Sequence, residues 1–211
     1  MPMDTDVKSF CRGITDFIRS TYNKFNVNLT KLELNPAERL TASTVVYSHY
    51  LKQIWMIGDC QCLVNGAYYD NPKPQEKILA EKRALFLARL INNGASIKDI
   101  QTNDSGRNFI LEELTECCKW QNISYSVIDG FDIPFDKVRI INASGCNEEI
   151  ILATDGYPFL KKTLAASESA LAEQLRNDPL CIRTFKATKG LMVGNVSFDD
   201  RAYLKIIDDM P

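Results

Sequence analysis

The stretch from residue 41 to residue 65 most constrains the fold. Residues 41–48 and 53–59 are apolar runs, the first rich in β-branched residues, and only a polar turn around Tyr50 to Lys52 separates them. Residues 61–65 follow at once and end on Asn65-Gly66, a hairpin turn pair;. Strands joined so tightly run antiparallel, because a parallel crossover needs roughly a dozen residues or more.

The rest of the chain keeps this texture. Val7, Phe10, Cys11, Ile14, Phe17 and Ile18 recur at helical spacing, which predicts a helix over 5–22 capped by Asp4 or Thr5;. Residues 23–40, with Pro36, read mainly as connection. After the Asn71-Pro-Lys-Pro74 break, a helix is expected over 75–92, with Ile78, Leu79, Leu85, Phe86, Leu90 and Ile91 on its apolar side and Asn93-Gly94 as its stop;. A second helix starts at Asp104 or Ser105 and ends near Trp120, giving a helical hairpin at about 75–120 between β elements;. Strands are expected at 123–128, 137–141, 149–154 and 201–207, and a helix from Pro158 to about residue 176;. Strands in blocks, not in strict βαβ alternation, predict an α+β chain with antiparallel sheet, folded as a single domain over 1–211.

Charge and cysteine usage narrow the function classes. Of 211 residues, 25 are Lys or Arg and 27 are Asp or Glu, so no basic excess points to nucleic acid or to an anionic membrane;. The longest apolar runs, such as residues 149–154, are far short of the roughly 20 residues that span a bilayer;. Residues 1–20 carry Asp4, Asp6 and Lys8 without an apolar leader segment, so a cytoplasmic protein with reduced thiols is expected;. Cys11, Cys60, Cys62, Cys117, Cys118, Cys146 and Cys181 form no pair of C-x-x-C knuckles, and His49 is the sole histidine. That disfavours a structural zinc site, and with no G-x-S-x-G near His49 it also disfavours Ser-His-Asp hydrolysis.

Three acidic positions share one context. Asp59 follows Ile54-Trp-Met-Ile57 and one glycine, Asp155 follows Ile150-Ile-Leu-Ala-Thr154 and precedes Gly156, and Asp199-Asp200 precede the strand ending at Ile207. Carboxylates at the ends of buried strands need a partner or a cation. If such carboxylates converge they repel, a divalent ion relieves the repulsion, and oxygen-only donors suit Mg²⁺ or Mn²⁺. Asp-Gly and Gly-Asp are also ordinary turn pairs, so one such motif alone says little.

Three stretches, taken in order, carry a resemblance. Thr44-Val-Val-Tyr with Ile54-Trp-Met-Ile-Gly-Asp-Cys-Gln-Cys-Leu63 resembles a hairpin ending in a G-D-S-R-like motif. Ile150-Ile-Leu-Ala-Thr-Asp-Gly-Tyr157 is similar to L-A-[ST]-D-G, and Phe198-Asp-Asp-Arg-Ala-Tyr-Leu-Lys-Ile206 to a terminal D-[ND]-x-[TS] strand. Residues 41–207 thus resemble the metal-dependent, PPM-type (type 2C-like) Ser/Thr protein phosphatases. The resemblance implies an antiparallel β-sandwich flanked by helices, a four-layer αββα plan. It also implies Mg²⁺ or Mn²⁺ at the sandwich edge and hydrolysis of phosphoserine or phosphothreonine in a phosphoprotein substrate. Carried over, Asp155 and Asp199 would be metal ligands, Asp59 would serve an additional, weaker metal position, and Asp200 would be a neighbour.

The departures carry equal weight. The family opens with a strand bearing an Arg and acidic residues, then a strand ending in an Asp-Gly that bridges two metals, and residues 1–40 supply neither. Asp129-Gly130 falls in the wrong place in the order, and Gly58-Asp59-Cys60-Gln61 lacks the basic residue of its motif. The resemblance therefore implies an N-terminally incomplete domain whose catalytic residues stay unassigned and whose activity is low. The alternative is a non-catalytic pseudophosphatase acting through a protein partner. Open sheet edges would also permit a homodimer. Cys60 and Cys62 are expected on one core face, Cys117-Cys118 as one buried and one half-exposed thiol, and Lys161-Lys162 and Lys186 to Lys189 at the solvated surface;. Tyr68-Tyr69 reads as an exposed turn or a binding loop.

Overall fold

The computed structural model describes Pro2, residues 4–145 and residues 148–208. Helix α1 spans Val7–Lys24, and its cap is Asp6, whose carboxylate accepts the Ser9 amide at 2.7 Å;. Residues 23–40 hold more than connection, with α2 at Leu29–Leu34 and a 3-10 turn at Pro36–Glu38. Six residues are too few for a helical period to stand out in sequence;.

Strands β1 (Thr44–Ser48) and β2 (Gln53–Ile57) form the expected hairpin, with Val46 opposite Trp55. Strand β3 (Cys60–Val64) turns at Asn65 and Gly66, whose φ values of 51° and 85° are those a two-residue hairpin turn requires;. The chain returns as β4 (Ala67–Asp70), so Tyr68 and Tyr69 belong to a strand. Helices α3 (Glu76–Asn92), α4 (Ile97–Thr102) and α5 (Ser105–Cys118) follow. Then come β5 (Arg139–Asn142), β6 (Glu148–Thr154), α6 (Leu164–Asn177) and β7 (Tyr203–Asp208).

Helix α4 falls between the two expected helices, and two further segments differ from expectation. Residues 123–128 form no strand: Ile128 bridges Ala42, and the Val127 amide is taken by the Asn122 side chain at 2.9 Å. A local side-chain acceptor there replaces a neighbouring strand. Helix α6 begins at Leu164, not Pro158, because Thr163 caps it by accepting the Ala166 amide at 3.2 Å. Residues 157–160 instead lay Tyr157 and Leu160 against the sheet.

All strand pairs are antiparallel, and they form two sheets, ordered β1-β2-β5 and β4-β3-β6-β7. The chain is thus α+β with two antiparallel sheets. One cluster draws Ile54 and Met56 of β2, Cys60, Cys62 and Val64 of β3, Ile141 of β5, and Ile150 and Leu152 of β6 into a shared core. The alternate residues look outward. Trp55 and Ile57 pack with Cys11, Phe10 and Ile14 of α1, with the Phe10 and Trp55 rings 5.7 Å apart. Leu63, Ile151 and Ala153 pack under Tyr157 and Leu160. Strands buried on both faces read as unbroken apolar runs, which is why 54–57 and 150–153 do not alternate.

Helices α3 and α5 pack on each other. The buried stripe of α3 is Leu79, Ala80, Arg83, Ala84 and Leu87, while Ile78 and Leu85 face solvent, as does Phe17 of α1. Among the described residues no helix is long and apolar enough to cross a membrane. Cys11, Cys60, Cys62 and Cys181 are buried free thiols, and Cys117 and Cys118 are both half-buried. Cys146 lies outside the described residues.

Candidate functional site

The chain passes from one sheet to the other between β2 and β3 through Gly58 and Asp59 alone. Asp59 is therefore fixed at the rim where the sheets meet. Gly58 has φ 79°, and a Cβ on it would lie 2.2 Å from Ser43 Oγ. Only glycine lets Ser43 close on this corner. The Ser43 hydroxyl donates to Asp59 Oδ1, and Ser43 Oγ accepts the Asp59 amide at 3.2 Å.

Cys60 pairs with Thr154 in the β3–β6 ladder, so Asp155 leaves β6 beside Asp59. A Cβ on Gly156 would lie 2.3 Å from the Asp200 carbonyl oxygen. The missing side chain lets residues 199–200 close over the end of β6. The two glycines next to the acids are what allow three distant segments to meet.

A fourth segment joins them. Glu76 occupies the first turn of α3, and one oxygen each from Asp59, Glu76 and Asp155 lie within 4.8 Å of one another. Asp199 lines the same cavity, of about 630 Å³, but stands outside that three-oxygen group. Asp200 also lines it, with its side chain exposed. A more open cleft of about 1080 Å³ runs alongside and shares Lys189, Asp199 and Asp200.

Two cations answer the carboxylates. Lys73 ion-pairs with Asp59, and Lys189 with Asp199. Desolvation in the crowded cavity, then the Asp59, Asp199 and Glu76 carboxylates, push the Asp155 carboxyl up to about 7, although Asp155 still reaches solvent. Glu76 is raised by burial first and by Asp59 next. Arg107 and Arg39 also line the cavity, Arg39 paired with the buried Asp129, so Asp59, Glu76, Asp155, Asp199 and Asp200 face Lys73, Lys189 and Arg107 and still outnumber them;.

The donors are hard oxygens, which fit Mg²⁺ or Mn²⁺ and not a thiophilic ion. Cys60 does not join them, since burial pushes its thiol pKa up and its Sγ lies 3.3 Å from the Thr44 carbonyl. Asp129 belongs elsewhere: it is fully buried and accepts from Arg39 Nη1 at 3.0 Å, Asn122 Nδ2 at 2.9 Å and the Phe131 amide at 2.9 Å. His49 sits in the turn after β1, its ring 6.1 Å from Tyr47.

Glu76, Lys73, Ser43 and Lys189 are site residues that motif spacing missed. The signal for two of them was the Pro-Lys-Pro bracket placed directly before a helix that opens on Glu76. No protein-family model, curated protein or solved structure matches the chain.

Proposed function

We propose that the chain is a PPM-type phosphatase-like domain whose acidic rim holds a hard divalent cation, Mg²⁺ or Mn²⁺. The observation that carries this reading is the meeting of Asp59, Glu76 and Asp155 within 4.8 Å. Two of these three acids lie in the stretches that resemble the family. The shared core between two antiparallel sheets, with α1 outside one of them, supports the αββα plan.

In this reading Asp59, Glu76 and Asp155 hold the ion, and Asp199 flanks it. A bound Mg²⁺ or Mn²⁺ supplies charge for phosphoryl oxygens and lowers the pKa of bound water. Ser43 fixes Asp59 through its hydroxyl, and Lys73 and Lys189 provide positive charge at the cavity wall. The substrate class is a phosphoserine or phosphothreonine protein. With one three-carboxylate group and no Asp-Gly of the family's kind in residues 1–40, slow phosphoester hydrolysis is the expected outcome.

The test is calorimetric titration of the EDTA-treated chain with Mn²⁺, beside phosphate release from a phosphopeptide. Expected are saturable binding that Asp155→Asn abolishes and release near background. Absence of binding overturns the cation site, and turnover at enzymatic rates overturns the assignment of low activity.

One observation favours the second reading, a non-catalytic interaction module. The Lys73–Asp59 and Lys189–Asp199 pairs already supply cations to the rim from within the chain. A module of that kind melts at the same temperature in Mn²⁺ and in EDTA, whereas a cation site is stabilised by its ion.

A further inference from the structure

Lys73 is held at the rim by its neighbours in the chain. Pro72 and Pro74 bracket it, which limits the backbone on both sides;. Asn71 ties the segment to the β2–β3 corner: its amide donates to the Cys60 carbonyl at 3.1 Å and its Nδ2 to the Gly58 carbonyl at 2.9 Å. The Glu76 amide donates to the Lys73 carbonyl at 3.2 Å, so Lys73 and Glu76 reach the rim as one unit. The Asp59 side chain is 11% exposed and that of Lys73 36% exposed. The acid is fixed in place, while the ammonium has a route to water.

We propose that Lys73 is a tethered counter-cation, which neutralises Asp59 in the metal-free protein and is displaced when a divalent ion binds Asp59, Glu76 and Asp155. This rests on the reading of the rim as a hard-cation site. An ion shared by these three carboxylates needs Asp59, and an ammonium on the same carboxylate is a like charge at short range, where repulsion is strong. Lys189 differs, because its partner Asp199 is outside the three-oxygen group. The bracketed lysine thus sets how much Mg²⁺ or Mn²⁺ is needed to fill the rim, while Lys189 only tunes the surrounding field.

The experiment compares Mn²⁺ titrations of the full chain with those of Lys73→Met, Lys73→Gln and Lys189→Met, each freed of metal with EDTA. Both Lys73 variants are expected to bind Mn²⁺ about tenfold more tightly than wild type, and Lys189→Met, whose lysine pairs with an acid outside the three-oxygen group, to gain clearly less, about threefold;. The metal-free melting temperature of Lys73→Met is expected to fall by about 3 °C, since Asp59 loses its partner. Tighter binding with lower metal-free stability is the signature of a displaced counter-ion. Equal or weaker Mn²⁺ binding by the Lys73 variants overturns the proposal and leaves the cation site standing. No binding by any of the four proteins overturns the cation site, and the proposal with it. Should Lys73→Met not fold, Lys73→Gln, which keeps a hydrogen-bond donor for Asp59, decides alone.

Discussion

Cys60 and Thr154 face each other across the β3–β6 ladder, and this register sets Asp59 and Asp155 side by side one residue further out. The meeting of these two acids is a consequence of strand pairing, not of a flexible loop.

Gly156→Ala tests how closely the segments must approach. The new Cβ would lie 2.3 Å from the Asp200 carbonyl oxygen, a backbone atom that cannot swing aside. We expect a loss of about 1–3 kcal/mol in urea unfolding and weaker Mn²⁺ binding, as residues 199–200 are pushed off the end of β6. Gly58→Ala should be worse, because it adds a positive φ to a 2.2 Å overlap with Ser43;.

Asp155 is expected to make stability depend on pH. Its carboxyl is raised from 3.8 to about 7, so between those values the folded chain binds more protons than the unfolded one;. The contribution of Asp155 to metal-free stability therefore falls as pH rises through this window. Mn²⁺ reverses the trend, because it binds the ionised carboxylate. Calorimetric titration near the midpoint in two buffers of different ionisation enthalpy should show proton release on Mn²⁺ binding. Equal apparent enthalpies in the two buffers would refute this.

Asp129→Ala should separate structural from site carboxylates. It removes the carboxylate shared by Arg39, Asn122 and the Phe131 amide, and leaves the guanidinium, its side chain 7% exposed, with only the Leu32 and Glu33 carbonyls as acceptors. The expected cost is about 3–5 kcal/mol of stability, with Mn²⁺ affinity unchanged in the folded fraction. A loss of Mn²⁺ binding at full folding would place Asp129 in the site after all.

Arg83→Met should loosen the wall that carries Lys189. Fully buried on α3, Arg83 donates to Asp104 Oδ2 at 2.7 Å, to the Leu180 carbonyl at 2.8 Å and to the Ala187 carbonyl at 3.2 Å. Its removal leaves a buried Asp104 unpaired, at about 3–5 kcal/mol. Hydrogen exchange should rise first at residues 180–191, and Arg83→Lys should restore only part of the protection.

The sheets were legible because their signals are local. Short connections fixed antiparallel pairing, and Asn65-Gly66 marked its own turn. Asp59 and Asp155 were legible through strand ends and flanking glycines. Glu76 and Lys73 were not, since a glutamate in the first turn of a helix and a lysine between prolines are common surface features until tertiary structure brings them to a rim. Arg83 hid in the same way: a charged residue in the middle of an α3 apolar stripe is visible only once Asp104 and two carbonyls are seen to receive it. At 123–128, β-like composition misled because Asn122 supplies locally what a neighbouring strand would have given.

The two-residue passage from β2 to β3 also limits how this polypeptide can be altered. One residue added between Ile57 and Cys60 would either be absorbed at the corner, displacing Asp59, or slip a strand in its ladder and turn Cys60, Cys62 and Val64, or Ile54 and Met56, away from the interior;. Insertions are better placed at surface turns such as Asn93-Gly94, while both the length of this corner and its glycine stay fixed.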